Sequence, residues 1–181
     1  MGCGAANAVA VNGGSVMLRQ LLVAFLLVFA GAQAAFAGAD FENCQVFTKN
    51  GDGAVISDAD FVESVLYVPA TGKITDIDIT LNLSHPDVSE LSVQLVSPGG
   101  AGILLAGGDS LSGANYTGTT FDDEAALSIS LGSTPYTGHF IPISELSVLD
   151  EESPMGEWTL QVFDNTPGND GTLTAWSLNV C

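Results

Sequence analysis

The sequence predicts an all-β sandwich or jelly roll, and three observations carry that prediction. Short runs with apolar residues at every second position recur along the chain. Gly, Pro, Asp and Asn clusters separate them, and no stretch beyond residue 38 keeps a 3.6-residue period for three turns. Short strands at regular spacing with turns between them bury their alternate residues face to face. The chain has 181 residues, long enough for one good core plus a leader, and shows no internal repeat or second domain.

The first 37 residues differ from the rest. Arg19 follows Met17, the apolar run Leu21 to Ala30 comes next, and Ala35-Phe36-Ala37 supplies small residues at −3 and −1. This pattern predicts a cleaved secretory signal peptide over 1–37, with Met17 a better start than Met1 and cleavage after Ala37, or alternatively after Ala34 in Ala32-Gln33-Ala34. The run is too short to span a bilayer, so no membrane segment is expected after cleavage. The destination is extracellular or periplasmic.

The elements follow in order. Residues 38–60 form an N-terminal extension or first strand, in which Asn50-Gly51-Asp52-Gly53 reads as a tight turn. Phe61 to Val68 is an apolar run read as a strand. Ile77, Ile79, Leu81 and Leu83 alternate with Asp78, Thr80 and Asn82, as a half-buried strand requires. Leu91, Val93 and Leu95 repeat the pattern after Pro86-Asp87, and Ser97-Pro98-Gly99-Gly100 turns the chain into Ile103-Leu104-Leu105. Leu127, Ile129 and Leu131 alternate again. So do Trp158, Leu160 and Val162, then Trp176, Leu178 and Val180. The stretches 107–125 and 132–157 read as long loops, a length usually kept for function or specific order.

Charge sets the partners. The chain carries 21 acidic and 3 basic residues, a net charge of −18, with a pI near 4.1. Loss of Arg19 with the leader leaves only Lys49 and Lys73, so the exported part stands at −19. Nucleic acid and anionic lipid are thereby excluded as partners. A content of 46% apolar residues argues for a folded domain. Cys3 leaves with the leader, and Cys44 and Cys181 remain as one expected disulfide.

The motifs SHPDVSELSVQLVSPGGAGILL, NYTGTTFDDEA, PYTGHFIP and GEWTLQVFDNTPGNDGTLTAWSLNV occur in that order. Together they resemble the P domain, or P/Homo B domain, of kexin- and furin-like proprotein convertases and bacterial secreted proteases. The resemblance runs from Phe61 to Val180 and places the domain at 61–181. It implies a jelly roll of about eight strands, with Trp158 and Trp176 as core anchors and Gly171 as a positive-φ turn residue. His85 stands where the family often has His, and Glu90 where a related Asp is usual. On this reading no protease domain is expected before the module, since Gly38 to about Asp60 is too short to hold one. The expected function is therefore that of a free-standing, non-catalytic module associated with a protease catalytic domain or another secreted protein.

The residue chemistry agrees with a non-enzyme. Serine catalysis needs a base in reach, yet only His85 and His139 exist and neither lies near a Gly-x-Ser-x-Gly elbow. A His beside a β-turn reads as a structural hydrogen-bonder. Calcium is the better use of the carboxylates, because it takes six to eight hard oxygens of the kind acidic loops provide. The expected ligands are Asp76, Asp78, Asp122, Asp123 and Asp164, with Asp170 in reserve. The alternative class is a carbohydrate- or surface-binding module, with Tyr116, Tyr136 and Phe140 in the long loops as a stacking platform for a glycan.

Overall fold

The computed structural model describes residues 44–108 and 111–181. The leader expected over 1–37, with its start and cleavage site, lies outside the described residues, as do 38–43.

Among the described residues, nine strands form two sheets. In chain order they are β1 (Gln45–Ile56), β2 (Phe61–Val68), β3 (Ile77–Ser84), β4 (Leu91–Val96), β5 (Gly102–Gly107), β6 (Tyr116–Phe121), β7 (Gly138–Phe140), β8 (Gly156–Asp164) and β9 (Gly171–Val180). One sheet runs β1-β9-β3-β6-β7 and the other β2-β8-β4-β5. Leaving out the short β7, which pairs in parallel with β6, the remaining eight strands follow jelly-roll order. The first strand lies beside the last, and each sheet alternates early with late strands.

Periodicity explains the layers. Ile77, Ile79, Leu81 and Leu83 of β3 are buried, while Asp78, Thr80 and Asn82 between them face outward. On β8, Trp158, Leu160 and Val162 turn inward, and on β9 Leu173, Trp176, Leu178 and Val180 do so. Each fully buried aliphatic side chain contributes roughly 1.5–3 kcal/mol over leaving it in water. The two tryptophans are the largest side chains of the core, and both satisfy their indole N–H: Trp158 donates to the Pro154 carbonyl at 2.9 Å and Trp176 to Ser64 Oγ at 3.0 Å. Cys44 and Cys181 form the expected disulfide, closing a loop of sequence separation 137 beside the β1–β9 ladder.

Four expectations need correction. Leu127 to Leu131 is not a strand; Ile129–Leu131 is a 3-10 turn in which Ser128 caps the Ser130 amide at 3.3 Å and only Ile129 is buried. Asn50-Gly51-Asp52-Gly53 is not a turn between elements but an irregularity inside β1, where the pairing with β9 shifts register between Asn50 and Ala54. The long stretches hold strands: β6 lies within 107–125 and β7 within 132–157. Gly171 is absent from the positive-φ glycines, and the reason for a glycine there is space rather than φ, as shown below.

Candidate functional site

Strand β3 spans the sandwich, and its two ends carry different chemistry. Eight residues at about 3.3 Å each separate the ends by roughly 25 Å.

At the first end, Asp76 directly precedes β3, Asp78 is the second residue of the strand, and Asp122 follows β6, whose Phe121 pairs with Ile79. Asp78 Oδ2 accepts from Asn179 Nδ2 at 3.2 Å. Partial burial raises the Asp78 carboxyl above the ordinary value near 3.8; the Asn179 hydrogen bond opposes this, and the charges of Asp76 and Asp122 add to the rise. Asp122 accepts from the Glu124 amide at 2.7 Å and lies 3.0 Å from His139 Nδ1. Asp123 has a structural task. Its two oxygens accept from the amides of Leu146 and Ser147 at 3.0 and 2.8 Å, capping the 3-10 turn Leu146–Leu149 from 23 residues away. Asp76, Asp123, Glu124 and Asp150 line one small cleft at this end.

The second end holds what the sequence reading left apart. Asp164 closes β8 and is fully buried, with Oδ1 accepting from the Thr166 amide at 3.0 Å. Its Oδ2 lies 3.2 Å from Nε2 of His85, whose side chain is also fully buried. The same ring nitrogen is 3.2 Å from the Asn169 carbonyl oxygen. Nδ1 faces residue Asp87, 2.8 Å from its carbonyl oxygen and 3.2 Å from its amide. The Asp87 side chain caps the turn Val88–Glu90 through Ser89, and the backbone and hydroxyl hydrogen bonds of Ser89 hold its carboxyl below the ordinary value. That turn sets Glu90 beside the loop before β9, where its carboxylate accepts from Asn169 Nδ2 at 3.2 and 3.0 Å. One ligand atom each from His85, Glu90 and Asp164 lies within 4.8 Å of the others.

The predicted calcium ligands therefore divide. Asp76, Asp78, Asp122 and Asp123 share an end; Asp164 and the exposed Asp170 belong to the other, with β3 between them. His85 and Glu90 were not singled out as ligands. Their signal was the spacing His85-x-Asp87-x-x-Glu90, a turn that folds its last carboxylate back toward its first ring. His85 is the structural hydrogen-bonder expected, with both ring nitrogens engaged.

The aromatic platform is corrected outright. Tyr116, Tyr136 and Phe140 are buried and pack on one another, Tyr116 to Tyr136 at 5.5 Å and Tyr136 to Phe140 at 6.2 Å between centroids. Loops can be long and still contribute to a core, and no glycan can stack on a buried ring. The exposed aromatics lie elsewhere. Phe61 and Phe163 pair across β2 and β8 with centroids 5.0 Å apart, and Val65 and Tyr67 continue the same outward face. No helix among the described residues is long and apolar enough to cross a membrane.

Comparison with known proteins gives the arrangement its relatives. No curated protein matches the sequence significantly. The serine protease of Aeromonas sobria, solved in complex with the chaperone, aligns with 22% identity and a TM-score of 0.48. The same protease solved alone aligns with 20% identity and a TM-score of 0.46. In both cases the alignment covers 76% of this chain and 26% of the protease chain, so this chain spans about a quarter of the protease's length. The family described as the proprotein convertase P-domain, a non-catalytic module, matches residues 74–180, from shortly before β3 to the end of β9. The chain belongs to the proprotein convertase P-domain family.

Proposed function

We propose that this chain is an exported, non-catalytic accessory module that docks on a protease catalytic domain and stabilises it. The observation that carries the reading is family membership over 74–180. The geometry supplies a suitable contact: the stacked Phe61–Phe163 pair with Val65 and Tyr67 forms an exposed apolar face across β2 and β8, and β2 is an edge strand that pairs only with β8 among the described residues. The histidine chemistry supports a role without catalysis. Both nitrogens of the buried His85 ring face Asp87, Asp164 and Asn169, and no serine side chain meets that ring among the described residues.

The test pairs the purified chain with a subtilisin-like catalytic domain from the same source. The chain alone shows no peptidase activity on casein, and it raises the thermal inactivation temperature of the catalytic domain. Phe61→Ser with Phe163→Ser abolishes that protection while leaving the fold intact by circular dichroism. Peptidase activity of the chain alone, abolished by a serine-directed inhibitor, overturns the reading.

Calcium at the acidic end is the second part of the proposal. Its support is the grouping of Asp76, Asp78 and Asp122 at one end, where burial first, and then the charges of Asp76 and Asp122, raise the Asp78 carboxyl; a dication relieves that repulsion. Millimolar Ca²⁺ at fixed ionic strength then raises Tm by mass action. No shift removes this part and leaves the docking role standing.

A further inference from the structure

The buried His85 ring stands where the polar groups of Asp87, Asp164 and Asn169 converge. Its shortest polar contact is Nδ1 to the Asp87 carbonyl oxygen at 2.8 Å; the Asp87 amide, at 3.2 Å from the same nitrogen, is the longer one. A proton on Nδ1 donates to that carbonyl. The lone pair of Nε2 then points at two further acceptors, Asp164 Oδ2 and the Asn169 carbonyl oxygen, each 3.2 Å away. In that tautomer the three acceptors repel unless a positive charge lies between them; in the other, Nδ1 accepts from the Asp87 amide and Nε2–H donates to Asp164 or Asn169, so the neutral ring needs none.

Two charges could fill the place. A second proton makes an imidazolium, which balances Asp164 and leaves the Glu90 carboxylate to the Asn169 amide. A dication balances both carboxylates at once. The spacing suits a metal: ligands at about 2.1 Å in a tetrahedron stand roughly 3.4 Å apart, close to the two 3.2 Å separations. The outer contacts suit one as well, since metal-ligating histidines donate their other ring N–H to a carbonyl or carboxylate. Asp164 keeps an oxygen for the Thr166 amide, which orients it. Glu90 is only half-buried, so its side of the cluster meets solvent.

We propose that His85 Nε2, one carboxylate oxygen each of Glu90 and Asp164, and the Asn169 carbonyl oxygen bind a single first-row divalent cation of the Zn²⁺ type. An imidazole in the set favours such a borderline ion over the hard Ca²⁺. This site is separated from the acidic end by the length of β3 and does not depend on the docking role.

The test titrates Zn²⁺ into the tag-free, chelator-stripped chain as secreted, by calorimetry. The expected result is one site with micromolar or tighter affinity, at least 10-fold weaker in Glu90→Gln and unchanged in His139→Gln, which removes the exposed imidazole at the opposite end. A long-range ¹H–¹⁵N spectrum of His85 in the unsubstituted protein gives a readout independent of any variant. Zinc should leave Nδ1 protonated and shift Nε2 to the range of a ligated nitrogen. No binding heat, equal affinity in Glu90→Gln, or an Nε2 that stays protonated in excess Zn²⁺ overturns the proposal in favour of a metal-free, hydrogen-bonded ring.

Discussion

Gly171 leaves the space that the His85 ring occupies: a Cβ at position 171 would stand 2.6 Å from His85 Cδ2 and 2.7 Å from the Ser84 carbonyl oxygen. Neither neighbour can yield easily, since the ring is held at both nitrogens and the carbonyl is backbone of β3. Gly171→Ala should therefore destabilise the fold by about 1–3 kcal/mol, the usual range for overpacking. Urea unfolding followed by tryptophan fluorescence measures it. An unchanged midpoint would mean that the ring moves aside freely.

The Cys44–Cys181 bridge ties the start of β1 to the residue after β9 across a sequence separation of 137. Constraining so long a loop in the unfolded chain contributes about 4–5 kcal/mol in the entropy model, and losing native bridges costs about 2–5 in practice. Cys44→Ser with Cys181→Ser should lower the unfolding free energy by that amount and fray the β1–β9 pair first. Hydrogen exchange at Val46 and Phe47 checks the location.

Strands that bury one face announced themselves: β3 and β4 follow their alternating runs, β2 coincides with the apolar run read there, and the alternating runs of β8 and β9 fall inside longer strands. What was not legible came from interactions between distant positions. Leu127, Ile129 and Leu131 alternate like a strand, yet Ser128 and the Ser128 and Ile129 carbonyls close the backbone into a 3-10 turn. Asp78 and Asp164 look alike in sequence, and only the direction of β3 and the pairing of β4 with β8 send them to opposite ends. Gly171 carries the signature of a turn glycine, but its reason is a ring 86 positions earlier in the chain.

Tyr116 is buried, and its hydroxyl has no hydrogen-bond partner among the described residues. Burial pushes the phenol far above its ordinary value, with Tyr136 adding a little, so the group stays neutral in any working buffer. A buried hydroxyl without a partner carries its desolvation cost uncompensated, and removing it relieves that cost. Tyr116→Phe should stabilise the protein by about 1 kcal/mol, raising Tm by about 2–4 °C. A loss of stability of that size would reveal a partner for the hydroxyl.

The raised Asp78 carboxyl makes a prediction about pH whose sign is definite. The folded protein holds the Asp78 proton more tightly than the unfolded chain, so ionising it costs the fold. Below the ordinary value near 3.8 both states are protonated and the cost is absent. It develops as pH rises from there through the raised value, and it is fully present at pH 7. Asp78→Asn keeps an oxygen for Asn179 and removes the charge that Asp76 and Asp122 oppose. The variant should therefore gain about 1–2 °C in Tm at pH 7, modest because the group is partly exposed to solvent screening. The gain should shrink as pH falls and vanish near 3.8, and added Ca²⁺ should stabilise the unsubstituted protein more than the variant. A gain that persists unchanged at pH 3.5 would show that the carboxylate charge is not its source.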